Sequence, residues 1–359
     1  MMEVSKITYE KIKNYKSVNL LSALKEITKE TNAHDQTGYK EDSWEWQYKN
    51  LPSKESLIYV ALDKDKIIGY YHIPVYEFII NKQNYRIGNV QSVAILKKYR
   101  KRAIFEKLSQ YANLDAEKQL DLIYTFPNKK SIHTFIKYND YKVVSTLPTY
   151  LYLVNPKKLI NSKFKFPGDK IFSNVIKYAL RFYRTKLGNN DIIQLIDINN
   201  EENINLFKNF SDSYENHLVR NKEFLNWKYV DTPKSKYFCC GLMSGNELKA
   251  SVIAKIDQMF SNEGLIIMDY AYKSVSDIKK LISNFDELDF SLSKDLSFVL
   301  LSSLNRDIKA IAKCGFIGIP KKINPRKLNL LVKICNKKIK SDIGNKDNWL
   351  VTMSDWDVL

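Results

Sequence analysis

The chain has 359 residues, of which 44% are hydrophobic and 13% aromatic, and its formal net charge is +17. This apolar content excludes a disordered chain, and no apolar run approaches the roughly 18–20 residues that a membrane-spanning helix needs. The positive charge indicates an anionic partner, such as a nucleotide, phosphate, nucleic acid or membrane surface, with a solvated basic face as the alternative.

Strand and helix signals alternate through the first half of the chain. The segments "SLIYVALD", "IIGYYHIPVYEFIIN" and "NYRIGNVQSVAIL" are predicted strands, and a helix follows to about Glu117. A strand at "DLIYTFP", a helix over 129–138 and one strand at "YKVVSTLPTYLYLV" complete the pattern. This order predicts an α/β (α+β) layered fold.

The middle of the chain separates two predicted lobes. Residues 156–170 resemble a linker, and "IFSNVIKYALRFYRTKLG" has the pattern of a basic amphipathic helix that docks against a domain, with a membrane-surface role as the alternative. We therefore expect a first lobe over 1–155, a linker with the basic helix over 156–190, and a second lobe over 191–359.

The second half of the sequence repeats the first. "WQYKNLP" begins at Trp46 and "WKYVDTP" begins at Trp227, 181 positions later, and at the same offset "IIG" corresponds to "LKA". Further on, "DLIYTFPN" resembles "DLSFVLLSSLN", and "IKYNDY" resembles "IAKCGF". Four matches in one order indicate a duplicated fold, in which Trp46, Tyr48, Trp227 and Tyr229 serve as equivalent core residues.

The cysteines and the N-terminus bear on compartment and cofactor. The four cysteines, Cys239, Cys240, Cys314 and Cys335, have no zinc-finger spacing, so we expect reduced core residues and no metal. No apolar stretch of the kind found in secretory signals occurs near the N-terminus, so we expect a cytoplasmic protein.

A cationic turn joins the predicted strand "SVAIL" to the next helix. Residues 97–102, "KKYRKR", hold five cations in six positions. A helix N-terminus carries unpaired N–H groups and a partial positive charge, and arginine and lysine side chains would add charge-assisted hydrogen bonds to an anion there. A solvated helix start is the alternative. The corresponding part of the second half, "GLIIMDYAYKSVSDIKKL", has no such cluster.

This turn and its surroundings resemble the GNAT acyltransferase superfamily. "YRKRAIF" is similar to the R/Q-x-x-G-x-G/A motif that wraps the pyrophosphate of acetyl-coenzyme A, although larger residues occupy both glycine positions, and "DLIYTFPNKKSIHTFIKYNDYKVV" is similar to the family's fifth strand, fourth helix and sixth strand. The resemblance implies tandem GNAT-like lobes of the long bacterial type, each a mixed, mostly antiparallel sheet flanked by helices, with the second lobe degenerate. It implies acetyl-CoA as donor substrate, with these cofactor-binding residues: Gln91, Val93, Ile95, Arg100, Lys101, Arg102, Ala103, Ile104 and Phe105.

The usual acid and base of the family are not found at their positions. Gln91 stands where many members place a glutamate base, and an amide cannot accept a proton at neutral pH. Ile136 stands at the position of the usual acid, a tyrosine.

Three other residues are candidate catalytic groups. His133 could act as base or relay, or be an ordinary helix histidine. Asn128 could orient the cofactor or a water molecule, as the asparagine of the family does, or it could cap a helix. Asp355, which we expect to share one face of an extended segment with Asp357, could bind or deprotonate an amine, or be a solvated tail carboxylate.

Three functions follow from this resemblance. The first is an acyl-CoA-dependent N-acyltransferase whose partner is a small-molecule amine acceptor, by analogy a nucleotide-linked amino sugar for surface polysaccharide. The second is a Fem-type peptidyltransferase that takes an aminoacyl group from tRNA, which the charge of +17 would suit. The third is a non-catalytic binding module derived from the GNAT fold.

Overall fold

The computed structural model describes residues 7–13, 18–31, 41–100, 103–155, 182–233, 235–259, 262–285, 296–320, 324, 327–339 and 342–356. The predicted linker, most of the predicted basic helix, Lys101, Arg102 and Asp357 lie outside these ranges. The chain divides into two compact units. The first comprises Met1–Thr146, Asp231–Lys234 and Lys327–Gly344, and the second Leu147–Val230, Ser235–Arg326 and Asn345–Leu359.

The first unit is a mixed sheet with four helices in its described part. Its strands are β1 (Ile7–Lys11), β2 (Ser56–Asp63), β3 (Lys66–Ile80), β4 (Gln83–Ile95), β5 (Leu122–Thr125), β6 (Lys142–Thr146) and β15 (Asn329–Ile334). They pair in the order β1-β2-β3-β4-β5-β15-β6, and the β4–β5 pair is parallel while the others are antiparallel. The helices are α1 (Val18–Thr31), α2 (Glu41–Tyr48), α3 (Ile104–Ala116) and α4 (Ile132–Asn139).

Local sequence explains the long β3–β4 hairpin that leads to the site. Residues 68–76 of β3 are all buried, as expected of a strand covered on both faces. Asn81 and Lys82, which connect the strands, both have positive φ, at 49° and 64°. That pair of conformations is typical of the type I′ turn, whose twist matches that of the flanking strands.

The second unit has the same strand order as the first when its strands are read from β8 to β14. Its main strands are β7 (Thr149–Leu153), β8 (Asp191–Ile196), β10 (Phe238–Ser244), β11 (Glu247–Met259), β12 (Asn262–Tyr272), β13 (Phe298–Ser302) and β14 (Ile317–Gly318), paired as β14-β7-β13-β12-β11-β10-β8. β9 (Asn216–Leu218) pairs in parallel with β16 (Trp349–Leu350). The helices are α5 (Glu201–Asp212), α6 (Lys222–Leu225), α7 (Val275–Ser283) and α8 (Ile308–Ala312), with a π-helical turn at Asn226–Val230.

The repeated strand order confirms the predicted fold class. Each sheet is mixed and mostly antiparallel and carries helices, as expected of tandem lobes. The tryptophan and tyrosine of each repeated motif are buried, with Trp46 6%, Tyr48 2%, Trp227 4% and Tyr229 3% exposed. These four residues are therefore core residues, as the repeat predicted.

One strand prediction was wrong. The segment "YKVVSTLPTYLYLV" is two strands, β6 and β7, and they belong to different sheets. The break falls at Leu147 and Pro148, because proline has no N–H to donate to a neighbouring strand. β7 lies in the second unit, whereas β15, from the second half of the sequence, lies between β5 and β6 of the first. The units therefore differ from the expected continuous ranges at these two segments, and also at Asp231–Lys234, which belongs to the first unit.

A buried ion network holds the C-terminal segment of the second unit. Arg220 is 1% exposed; its Nε donates to Asp269 of β12 at 2.8 Å, and its Nη2 donates to Asp355 at 2.7 Å. Residues Met353–Asp355 form a 3-10 turn with a capping box to Thr352. The prediction of an extended segment around Asp355 was therefore wrong, because this carboxylate folds back onto the Thr352 amide.

The Arg220→Met variant should lose about 3–5 kcal/mol of unfolding free energy, because it leaves two buried carboxylates without their cation. Urea unfolding measures the change. Lys49→Met, which breaks the exposed Lys49–Glu45 pair, is the control and should cost less than about 1 kcal/mol. Equal small losses in both variants would contradict the assignment of Arg220 as the centre of this network.

Candidate functional site

The β4–β5 pair of the first unit ends before β4 does. The parallel pairing runs from Ile87↔Leu122 to Val90↔Thr125, while β4 continues to Ile95. Pro127 follows β5 closely and has no N–H with which to extend the pairing. Within the described residues, positions 91–95 of β4 have no partner on β5. Ser92, Val93 and Ala94 are partly exposed, so the sheet opens along this stretch.

A β-bulge lies at the start of the opening. Tyr70 of β3 faces Ala94 and His72 faces Gln91, so Tyr71 stands opposite two residues of β4, Ser92 and Val93. Ser92 has φ of 41°, which is uncommon outside glycine. Bulges of this kind re-aim the backbone and are frequent beside active sites. The bulge therefore changes the direction of the backbone groups of β4 where its β5 partner is lost.

The cationic turn is fixed to the fold through its own residues. Tyr99 is 7% exposed and its hydroxyl donates to Asp63 at 2.6 Å. Arg100 Nε donates to the carbonyl oxygen of Ile95 at 3.0 Å, and the Lys97 amide donates to Glu30 at 2.9 Å. These contacts hold the turn against the end of β4, which places the predicted cation Arg100 beside the open stretch of the strand.

The helix after this turn begins without a side-chain cap. Ala103 is the N-cap of α3, with left-handed φ of 53° and ψ of 17°, and its side chain makes no cap hydrogen bond. The first amides of a helix have no intrahelical acceptor, so this end remains open to an anion. In the second unit the equivalent helix α7 is closed by Ser274, whose side chain accepts from the Asp277 amide. The two copies of the duplicated fold thus differ at the start of this helix.

The predicted cofactor-binding residues occupy two environments. Val93 is partly exposed at the bulge, whereas Ile95 is 5% and Ile104 2% exposed and both belong to the core cluster. Phe105 is partly buried, with its ring 6.4 Å from that of Phe135. Only backbone atoms of the buried members could therefore meet a ligand. The structure does not describe Lys101 and Arg102, so their predicted roles stay predictions.

The structure separates the three predicted catalytic residues by environment. Asn128 Oδ1 accepts from the amides of Lys130 at 2.9 Å and Ser131 at 3.1 Å, which is a capping arrangement before α4. His133 is exposed on α4, with its ring edge-on to Tyr138. Asp355 belongs to the second unit and is 5% exposed, and burial raises the pKa of its carboxyl against the attraction of Arg220. These positions leave all three catalytic roles as predictions.

His72 was not among the site residues predicted from the sequence. Its side chain is fully buried and lies on the same sheet face as Gln91, since the two residues pair across β3 and β4. Gln91 Oε1 accepts from Gln47 of α2 at 3.2 Å. Neither ring nitrogen of His72 has a hydrogen-bond partner among the described residues, and its ring packs 4.5 Å from Tyr48 and 4.9 Å from Tyr70. The sequence signal that could have indicated this residue is a histidine within an otherwise apolar strand.

The described residues hold neither a membrane-spanning helix nor a metal-binding cluster. No described helix is both long and apolar enough to cross a membrane. Among the same residues, no group of three or more His, Cys, Asp or Glu side chains is arranged to hold a metal ion.

Solved structures of acyltransferases have a similar fold. A protein of Enterococcus faecalis V583, described as a probable N-acyltransferase, matches with a TM-score of 0.63 at 11% identity, over 93% of this chain and 74% of its own. A GCN5-related N-acetyltransferase from Anabaena variabilis matches at 0.61 and 11%, over 92% and 73%. Saccharomyces cerevisiae N-myristoyltransferase with bound myristoyl-CoA matches at 0.58 and 11%, over 92% and 83%.

No family model and no curated protein matches the sequence. The structural matches show the fold alone at these identities. The chain has the GNAT fold, and the resemblance stated from the sequence is confirmed at that level.

Because of His72, the free energy of unfolding should decrease at acid pH. Burial lowers the pKa of His72 to about 3 from an ordinary 6.5, so the unfolded chain takes up this proton first. The stability that the neutral ring contributes is complete above about pH 6.5 and decreases by up to about 1.4 kcal/mol per pH unit below it, until about pH 3. Urea unfolding at neutral and mildly acid pH should show a flatter dependence for His72→Phe.

His133→Phe is the matched control for that measurement, because His133 is exposed. It should keep the pH dependence of the natural chain. If His72→Phe keeps the same dependence too, His72 is not neutral and buried as the structure indicates.

Proposed function

We propose that the protein is an acyl-CoA-dependent N-acyltransferase, with acetyl-CoA as its donor. The observation that carries the proposal is the combination of an open stretch of β4 with the uncapped, cationic start of α3. Solved structures of the same fold include described N-acetyltransferases and an enzyme with bound myristoyl-CoA, which supports a coenzyme A thioester as the donor.

The diphosphate of the donor is proposed to bind at the first turn of α3. The amides that follow Ala103 and the charge of Arg100, with Lys101 and Arg102 of the same turn, suit an anion there. The pantetheine amides can pair with the open stretch of β4, as a further strand would. No metal is part of this proposal, because amides and guanidinium groups supply the charge that the diphosphate needs.

Transfer is proposed to be direct, within a complex that holds both substrates. The amine attacks the thioester carbonyl, and the oxyanion that forms accepts hydrogen bonds from backbone amides of β4 near Val93 and Ile95. The carbon–sulfur bond then breaks, so that coenzyme A leaves as a thiolate and the acyl group stays bound to the nitrogen of the acceptor. Holding the two reactants together can supply about 7–11 kcal/mol of the barrier. This part of the mechanism needs the backbone geometry of the bulge and no particular side chain.

A small-molecule amine is the proposed acceptor, and we keep the nucleotide-linked amino sugar of surface polysaccharide as its proposed class. The net charge of +17 supports an acceptor that carries phosphate. We propose a cytoplasmic location on the same ground, since the nucleotide-linked acceptor and the coenzyme A donor would have to meet there.

His133 is the proposed proton acceptor. It is exposed on α4, which begins shortly after β5 ends, and a histidine can exchange protons near neutral pH. Asn128 is proposed to position this segment, because its side chain caps the turn that leads into α4. For Asp355 a role toward the amine stays a prediction, since its Oδ2 already accepts from Arg220 and from the Thr352 amide.

The double variant Arg100→Ala/Arg102→Ala should bind acetyl-CoA at least about tenfold more weakly, because it removes two charge-assisted contacts to the diphosphate. Isothermal titration calorimetry of the full chain measures the dissociation constant. Lys25→Ala/Lys29→Ala, which removes two exposed charges from α1, is the matched control and should bind as the natural chain does.

Equal affinity in the two double variants would rule out the phosphate site. Salt-sensitive retention of tRNA by a chain that does not bind acetyl-CoA would favour aminoacyl transfer instead. Acetyl-CoA binding without turnover across a panel of amines would identify a binding module.

His133→Gln should reduce kcat by about 100-fold or more near neutral pH while the dissociation constant of acetyl-CoA stays unchanged. An unchanged kcat would show that solvent or another group accepts the proton.

A further inference from the structure

The second unit contains a cavity of about 600 Å³ to which the acyl-transfer proposal gives no role. One face of α5 forms a wall, with Glu202, Asn205 and Asn209 directed to it at helical spacing. The end of β12 and the segment before α8 complete the cavity. Its size falls within the range of small-molecule sites, which is about 300–1,000 Å³.

Aromatic rings form the apolar part of the cavity. Phe210 and Tyr272 lie with ring centroids 4.4 Å apart, and Tyr214 packs against Phe210 at 5.5 Å. Tyr214 is 3% exposed, and its hydroxyl lies near the side chains of Tyr272 and Arg306 but completes no hydrogen bond of ordinary geometry with a described residue. Burial raises the pKa of Tyr214 to about 12, so this hydroxyl is neutral and can donate. A buried hydroxyl on a cavity wall without a partner is costly unless a ligand or water completes it.

Both cations of the lining are already engaged. The guanidinium of Arg306 lies 4.5 Å from the ring centre of Tyr214, and its Nη2 donates to the Ser213 carbonyl at 3.1 Å. Lys273 forms an ion pair with Glu247. Asp307 accepts a hydrogen bond from a neutral group of the aromatic wall, the Tyr272 hydroxyl, at 3.0 Å.

The carboxylates of the lining differ in their partners. Glu247 is shared by two lysines, Lys273 and Lys249, whereas Glu202 and Asp307 have no ion-pair partner among the described residues. Beside Glu202 and Asp307 a phosphate or carboxylate of a ligand is disfavoured, and a protonated amine is favoured.

The polar groups of the lining also specify the rest of the ligand. The side-chain amides of Asn205 and Asn209 can each donate and accept, and carboxylates accept in pairs. Such groups match adjacent hydroxyls, which donate and accept as well. We propose that this cavity is a binding site for an amine-bearing, polyhydroxylated sugar ring, held by the carboxylates and amides at its rim and by the Tyr214 hydroxyl at its wall.

Calorimetric titration of the full chain with D-glucosamine, in a mildly acidic buffer, tests the site. Glucosamine should bind at least about fivefold more tightly than glucose, which lacks the amine, and glucose 6-phosphate should bind more weakly than glucose. Tyr214→Phe and Asp307→Asn should each weaken glucosamine binding by about threefold or more.

Two matched controls in the same unit, Tyr150→Phe and Asp257→Asn, make the same chemical changes outside the cavity lining. They should leave glucosamine binding unchanged, and thermal unfolding verifies that all four variants fold. Absence of glucosamine binding, equal binding by all four variants, or tighter binding of glucose 6-phosphate would overturn the proposal. Acetyl-CoA titration of the same proteins separates this result from the acyltransferase proposal, which the cavity variants should not affect.

Discussion

The early end of the β4–β5 pairing is the constraint on which the site of the first unit depends. Backbone amides and carbonyls need hydrogen-bond partners, so a strand that loses its neighbour must find others. Three local features keep β5 from supplying them: Pro127 beyond its end, the bulge at Ser92, and the turn fixed by Tyr99 and Arg100. The open strand and the uncapped helix then offer hydrogen-bond donors of the kind that an extended amide-containing chain ending in a diphosphate requires.

The second unit has the same fold but different contacts at the corresponding edge of its sheet. There the parallel pairing ends at Ile267 and Leu301, and a register shift in β12 follows at once. Asp269, just beyond that shift, is held by Arg220, and Ser274 caps the following helix. In the second unit a buried ion pair and a helix cap thus lie where the first unit has its open strand and uncapped helix.

Sequence alone predicted what depends on local pattern. The repeated tryptophan motifs and alternating strands gave the tandem α/β fold, and the five cations in 97–102 located the turn. The sheets to which β7 and β15 belong could not be predicted, because the hydrophobic pattern of a strand does not identify the strand with which it pairs. The burial of His72 and of Arg220 was equally hidden, since both follow from tertiary packing around polar residues whose usual place is the surface.

Hydrogen exchange of the full chain with and without acetyl-CoA tests whether the diphosphate binds at the start of α3. Saturating acetyl-CoA should slow exchange at the amides of residues 103–106 and at the open stretch of β4, residues 91–95, with no comparable change in α7, whose first turn Ser274 caps. Exchange that slows only at other segments, while calorimetry shows the ligand bound, would contradict a diphosphate site at the start of α3.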